Sequence, residues 1–183
     1  MKYGELNLGQ IEALLNKLGG MDVVLDILRG SVEVVTKVVS YLVATSKQTV
    51  NYDRSVADSL KAGKYDWTNS DITDENFPST EKGKREVEFG MFHFNKTMGS
   101  EDIIAKMKLE GFRPATMKEK LAYGEKNPEE QRKHPIVALG SVAKLNGDRR
   151  VGCLLSVGSG RYADLRYFDN GWGGGCRCLA VRI

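Results

Sequence analysis

The chain closes on Phe168-Asp-Asn-Gly-Trp172-Gly-Gly-Gly175-Cys176-Arg-Cys178-Leu-Ala-Val-Arg-Ile183. Leu179 to Ile183 read as a strand, because Leu, Val and Ile suit a pleated, half-buried surface. The residues just before them do not. A glycine in an ordered strand end costs roughly 0.5–1 kcal/mol relative to alanine, so Gly173 to Gly175 together forfeit roughly 1.5–3 kcal/mol. A chain that places glycines there either turns sharply or does not select that stretch for stability. The second option points to function.

Working back from the tail, Asp164 to Phe168, Arg150 to Val157 and Ile136 to Val142 each read as an apolar or alternating strand. Thr116-Met-Lys-Glu119 has capping-box spacing and starts a helix whose exit is bracketed by Pro128 and Pro135. Ser100 is expected to cap a preceding helix that carries Ile103, Ile104 and Met107 and stops at Gly111. Val87, Phe89 and Met91 alternate with Glu86, Glu88 and Gly90, which predicts a strand running into Phe92-His-Phe94. The order from residue 84 is therefore strand, helix, helix, then four strands.

The first 80 residues have a different texture. Asn7 is placed to cap a helix with Ile11, Leu14, Leu15 and Leu18 on one stripe, stopped by Gly19-Gly20. Met21, Val24, Leu25 and Leu28 repeat the stripe, which gives an αα-hairpin too small to be stable alone. Ser31 to Val50 is rich in Val and Thr and reads as two strands, although Val35, Val38, Val39 and Leu42 also fit a helix. Ser55 to Ala62 reads as a short helix closed by Gly63, and Lys64 to Glu81 as loop. These features predict an accessory module over 1–80 and a second domain over 84–183.

At 183 residues the chain buries about 70% of its unfolded surface and needs no disulfide or metal to fold. Its 27 basic and 24 acidic residues are close to balance, which argues against a nucleic-acid-binding face. The start lacks the apolar core of a signal peptide, and no apolar run approaches the roughly 18 residues of a membrane helix. Three cysteines do not make a disulfide framework. The expectation is a cytoplasmic protein with no membrane insertion, with export by another route left open.

Gly111-Phe-Arg-Pro-Ala-Thr116-Met-Lys-Glu119 resembles the Gly-aromatic-Arg-Leu-Pro-Thr-x-x-Glu segment of formylglycine-generating-type domains, a branch of the C-type-lectin fold. The proline here stands one position early, at Pro114. Cys176-Arg-Cys-Leu-Ala-Val-Arg182 is similar to the final strand of such domains, in which the first and last strands pair. The resemblance covers about residues 84–183. It implies an α+β fold: a C-type-lectin-like domain (β-α-α-β-β-β-β) preceded by the helical-hairpin and β accessory module. The whole chain also resembles a set of uncharacterised bacterial proteins, a likeness that brings no activity with it.

Within this fold the chain resembles the variable proteins of diversity-generating retroelements, which carry hypervariable ligand-contacting residues near the C-terminus. Mutagenesis in that family acts at template adenines, so an Asn codon becomes Gly, Asp, Ser, Arg or Tyr, and a Tyr codon becomes Cys. The segment 161–178 is made largely of such products, interleaved with Leu165, Phe168 and Trp172, and followed by Leu179, which look structural. The resemblance therefore implies a ligand-binding set of Arg161, Tyr162, Asp164, Arg166, Tyr167, Asp169, Asn170, Gly171, Gly173, Gly174, Gly175, Cys176 and Cys178. The ligand is an unidentified protein or other macromolecule, with no cofactor and no metal. Arg and Tyr are enriched at binding hot spots, although an ordinary solvated strand face accounts for them equally well. The triglycine also fits a simple hairpin turn, and Trp172 fits a core position better than a stacking platform.

Two other readings stay open. One is an enzyme of degenerate formylglycine-generating or thiol-dependent type using Cys176 or Cys178. With Cys153 these offer three thiols, but no Cys-x-x-Cys spacing supports a closed zinc site. His93 and His134 have no nucleophile motif beside them, Gly158-Ser-Gly160 is too short for a phosphate loop, and the calcium motifs of sugar-binding lectins are absent. The other is an undiversified structural protein that forms a homo-oligomer through the N-terminal hairpin.

Overall fold

The computed structural model describes residues 7–29 and 40–183. The chain divides into two compact units, Met1–Val39 and Ser40–Ile183. The boundary thus falls some 40 residues earlier than the expected one near residue 80. Its physical cause is a strand pairing that local sequence does not announce, given below.

In the first unit, α1 (Leu8–Lys17) and α2 (Met21–Leu28) form the expected hairpin. Asn7 accepts from the Gln10 amide while the Gln10 side chain accepts from the Asn7 amide, a complete capping box. Gly19 and Gly20 take φ near +100° and +95°, a region closed to most other residues. Leu8, Ile11, Leu14, Met21 and Leu25 remain exposed. The strand expected within residues 31–39 lies outside the described residues.

The second unit is mixed α and β. Its elements are β1 (Leu42–Asn51), α3 (Val56–Gly63), β2 (Trp67–Thr68), β3 (Lys84–Phe92), α4 (Ser100–Leu109), β4 (Phe112–Pro114), α5 (Met117–Lys126), α6 (Glu130–Lys133), β5 (Ile136–Leu145), β6 (Asp148–Val157), β7 (Gly160–Tyr167) and β8 (Arg177–Arg182). The eight strands form one sheet in the order β1-β3-β8-β5-β6-β7-β2, with β4 paired to β8. The terminal strand lies against the first long strand of the 84–183 region, Met91 opposite Leu179 and Phe89 opposite Val181. β1 pairs antiparallel with β3 over its full length, from Leu42 opposite Phe92 to Asn51 opposite Lys84. Residues 42–51 are therefore a strand of the main sheet and not part of a separate module.

Period-two alternation sorts each strand between two cores. Phe89, Met91, Leu179, Val181, Ile136, Leu154, Ala163 and Leu165 join Val50, Tyr52, Met117 and Leu121 on the face covered by α3 and α5. Phe92, Phe112, Val137, Val151, Cys153, Cys178 and Ala180 point the other way and pack with Ile103 and Met107 of α4 and with Phe168 and Trp172. Each fully buried Leu, Ile or Phe contributes about 1.5–3 kcal/mol of burial.

The helix starts follow the sequence with one exception. Thr116 and Glu119 form the expected capping box on α5. At α4 the N-cap is Gly99, with no side-chain bond, and Ser100 is already helical. The Ser100 hydroxyl is used instead for the core, accepting from the Trp172 indole at 2.7 Å and donating to the Phe168 carbonyl at 2.5 Å. No helix among the described residues is long and apolar enough to cross a membrane.

Candidate functional site

The residues singled out by the resemblance fall on β7 and on the connection from β7 to β8. Alternation along β7 places Tyr162, Asp164 and Arg166 on the α4 side of the sheet and Arg161, Ala163, Leu165 and Tyr167 on the α3/α5 side. The thirteen residues therefore do not form one surface.

Arg161 is a correction. It is only 6% exposed, and its guanidinium donates to the Gly63 carbonyl at 2.6 Å, the Gly124 carbonyl at 2.8 Å and Gln131 Oε1 at 3.1 Å. It also lies 4.9 Å over the Tyr65 ring. A buried cation survives only with such partners, so Arg161 ties α3, α5 and α6 to the sheet and is closed to a ligand. Cys178 is a second correction, at 1% exposure inside the α4-side core. Tyr167 is exposed but faces away from Arg166, with the Arg150 guanidinium 3.4 Å over its ring.

The remaining residues cluster. Asp164 takes a bond from Asn69 Nδ2 at 3.1 Å and an ion pair from Arg166 at 3.3 Å. Trp67, 45% exposed on the edge strand β2, is the register partner of Tyr162, with ring centroids 5.6 Å apart. Leu155 is half-buried opposite Tyr162, and exposed Val157 extends the same row of β6. This aromatic and apolar strip, flanked by the Asn69–Asp164–Arg166 chain, was not legible in the 161–178 segment alone. One signal existed: Trp67 is one of only two tryptophans and stands in an otherwise polar run, Asp66-Trp-Thr-Asn-Ser-Asp71.

The connection Phe168–Cys176 covers the same side of the sheet. Phe168 and Trp172 are buried, and Trp172 exchanges both backbone bonds with Met98. Between and after these anchors Asp169, Asn170, Gly171, Gly173 and Gly175 are exposed. The three consecutive glycines are not equivalent. A Cβ at Gly173 or Gly175 meets nothing within 4 Å, whereas one at Gly174 falls 2.9 Å from the backbone of Asn95 and Lys96. Gly174 is required by close packing, and its carbonyl lies 2.7 Å from His93 Nε2. Arg149 holds the start of the loop, 4.3 Å over the Phe168 ring and paired with Asp169 and Glu101.

The thiols are poorly suited to nucleophilic work. Burial pushes Cys153 and Cys178 up to about 12, and burial also raises half-buried Cys176. A reactive thiol needs the opposite shift. His134 is lowered, first by burial and then by the Arg177 charge. Among the described residues no three His, Cys, Asp or Glu side chains come together to hold a metal ion.

Elsewhere a polar cluster supports the α5 start. Burial by itself would raise the Glu119 carboxyl. Arg113, the Thr116 amide and the Tyr52 hydroxyl together hold it below the ordinary carboxylate range. The Arg and Glu of the Gly111–Glu119 motif are thus partners in one ion pair at 2.7 Å. A cavity of about 200 Å³ lies beside them, lined by Glu81, Thr116, Lys118 and Ser141.

Comparison of the chain with protein-family models, curated proteins and solved structures finds no match in any of the three.

Proposed function

We propose that the chain is a non-enzymatic binding protein with a C-type-lectin-like domain whose α4-side surface is diversified by a retroelement. One observation carries this reading. Within 161–178 the residues that look structural, Leu165, Phe168 and Trp172, are buried, as is Leu179 beyond. Most of the adenine-type products between them, Arg166, Asp169, Asn170, Gly171, Gly173 and Gly175, are exposed. Gly171 apart, where a Cβ would stand 2.9 Å from Thr97 Cγ2, side chains can change there without entering a core, and surface changes of this kind usually shift stability by no more than about 0.5 kcal/mol.

The pairing of β8 with β3 supports the lectin-like part of the proposal. Arg161, Tyr167, Gly174 and Cys178 are removed from the contact set, and Trp67 is added as a fixed anchor beside Tyr162. Affinity then comes from a few aromatic and Arg anchors rather than from total area. The ligand class is a protein or other macromolecule.

The test is the neighbouring DNA. The expected result is a near-copy of the 161–178 coding segment, differing only at adenines, beside a reverse-transcriptase gene. A complete flanking sequence with neither removes the diversification. The binding role is tested separately by a library randomised at Tyr162, Asp164, Arg166, Asp169, Asn170, Gly173 and Gly175. Folded members with new binding specificities support it. A library in which most members fail to fold overturns it.

A further inference from the structure

Glycine follows asparagine at two places in the chain, Asn146-Gly147 and Asn170-Gly171, and all four residues are exposed. The pair carries its own chemistry. Where the backbone allows, the glycine nitrogen attacks the asparagine Cγ, closes a five-membered succinimide and expels ammonia. Glycine favours the step because no Cβ shields its nitrogen. The dipeptide alone ranks the two sites equally. The structure does not.

Asn146 and Gly147 are the two central residues of the β5–β6 hairpin, with φ of 52° and 89°. Positive φ at both is the pattern of a type I′ turn, closed here by the facing pair Leu145 and Asp148. Ring closure requires rotation about the asparagine Cα–C bond until the next nitrogen comes within about 3–3.5 Å of Cγ. In a two-residue turn that rotation has to unpair the ends of both strands.

Asn170 and Gly171 lie outside any strand, between the buried anchors Phe168 and Trp172. The chain is tied on either side of them. The Phe168 amide donates to the Arg149 carbonyl at 2.9 Å, and the Trp172 amide donates to the Met98 carbonyl at 2.8 Å. The Gly171 amide and the Asn170 side chain have no hydrogen-bond partner among the described residues. Rotation at Asn170 therefore breaks no ladder bond. Packing also holds glycine at 171, since a Cβ there would stand 2.9 Å from Thr97 Cγ2. The residue that least obstructs the attack is thus fixed beside Asn170.

We infer that Asn170 is a site of spontaneous deamidation, selected over Asn146 by the fold. The Gly171 amide proton passes to solvent hydroxide as its nitrogen bonds to Asn170 Cγ. The Cγ–Nδ2 bond breaks, and Nδ2 takes a proton from solvent and leaves as ammonia. Water then opens the ring. Attack at Cγ restores the original main chain and gives aspartate, whereas attack at the backbone carbonyl gives isoaspartate, whose main chain runs through Cβ and Cγ. Either product sets a new carboxylate next to Asp169. Isoaspartate also lengthens the short span between the two anchors. The consequence for a ligand, a change of charge within the contact surface, rests on the binding role proposed above; the reaction itself does not.

The experiment holds the full chain in mildly alkaline buffer for days, in parallel with a sample in urea. Tryptic peptides 145–149 and 167–177 carry the two sites. Mass spectrometry against a zero-time sample reads the fraction of each in which NH has been exchanged for O. In the native protein the 167–177 peptide should convert about tenfold faster than 145–149, because local structure protects the hairpin. In urea the two rates should converge. The product at 170 should separate into aspartate and isoaspartate forms, and Asn170→Gln should remove the signal from 167–177 while leaving 145–149 unchanged. No conversion at Asn170, equal rates in the native protein, a native ratio that persists in urea, or aspartate without isoaspartate each overturns the inference. None of these outcomes depends on the neighbouring DNA or on the randomised library, so the binding role stands or falls separately.

Discussion

On the side covered by α3 and α5 the sheet buries three charged side chains, Glu119, Lys120 and Arg161. Under α4 and the 168–176 connection, the buried polar residue is the Ser100 hydroxyl, itself bonded to Trp172 and Phe168. On the first side Glu119 and Arg161 act as specific polar clamps that admit few substitutes, whereas Lys120 is buried without a hydrogen-bond partner among the described residues. The second is fixed by two aromatic anchors, and between them Asp169 and Asn170 are exposed, while a Cβ at Gly171 would stand 2.9 Å from Thr97 Cγ2. The contrast explains how one short segment can hold both irreplaceable and expendable positions.

The largest expected effect breaks a clamp. Arg161→Met should destabilise by about 3 kcal/mol or more, since hydrogen bonds to a charged group contribute about 1.5–3 kcal/mol each. Arg166→Met, five residues along on the other face, should stay within about 0.5 kcal/mol in urea denaturation. Equal losses at both positions would erase the distinction between the faces.

Lys120 sharpens the comparison from the opposite direction. Its ammonium is fully buried against the bare Cα of Gly152 and has no hydrogen-bond partner among the described residues. Burial lowers it from 10.5 to about 8, with Cys153 and Asp164 opposing weakly. Because the folded value lies below the unfolded one, the charge opposes folding fully below pH 8, and this opposition fades between pH 8 and 10.5. Lys120→Met should therefore stabilise by about 3 kcal/mol at pH 6–7. That gain should shrink steadily as denaturation is repeated up to pH 10.

Smaller effects separate the glycines. Gly174→Ala should cost about 1–3 kcal/mol, because the methyl group meets the Asn95–Lys96 backbone. Gly173→Ala and Gly175→Ala should be neutral within about 0.5 kcal/mol. The smallest effect concerns reactivity. In the native protein at pH 8 a thiol reagent should modify Cys176 alone, with Cys153 and Cys178 reacting only after denaturation, as their burial requires.

Much of the fold was legible because its signals are local. The capping boxes at Asn7 and Thr116, the alternation from Val87 to Met91 and the order of the last four strands all follow from neighbours within a few residues. The membership of β1 in the main sheet was not legible, since its partner β3 begins 33 residues after β1 ends and nothing in residues 42–51 names it. Arg161 was misplaced for a related reason. A residue type common at binding surfaces gives no hint that three acceptors from distant helices surround it. Trp67 was missed because the resemblance directed attention to the C-terminal segment, while the tryptophan reaches that surface only through the parallel pairing of β2 with β7. Gly174 could not be told from its neighbours, because the steric demand comes from the Asn95–Lys96 backbone.

The strand order has one more consequence. β1 and β7 are separated by four intervening strands, which at about 4.8 Å per step sets them about 24 Å apart. Perturbations more than about 10 Å apart with no shared neighbours combine additively. Sequence change at the Tyr162–Arg166 rim is thus thermodynamically silent at the opposite margin, and either margin can evolve without renegotiating the other.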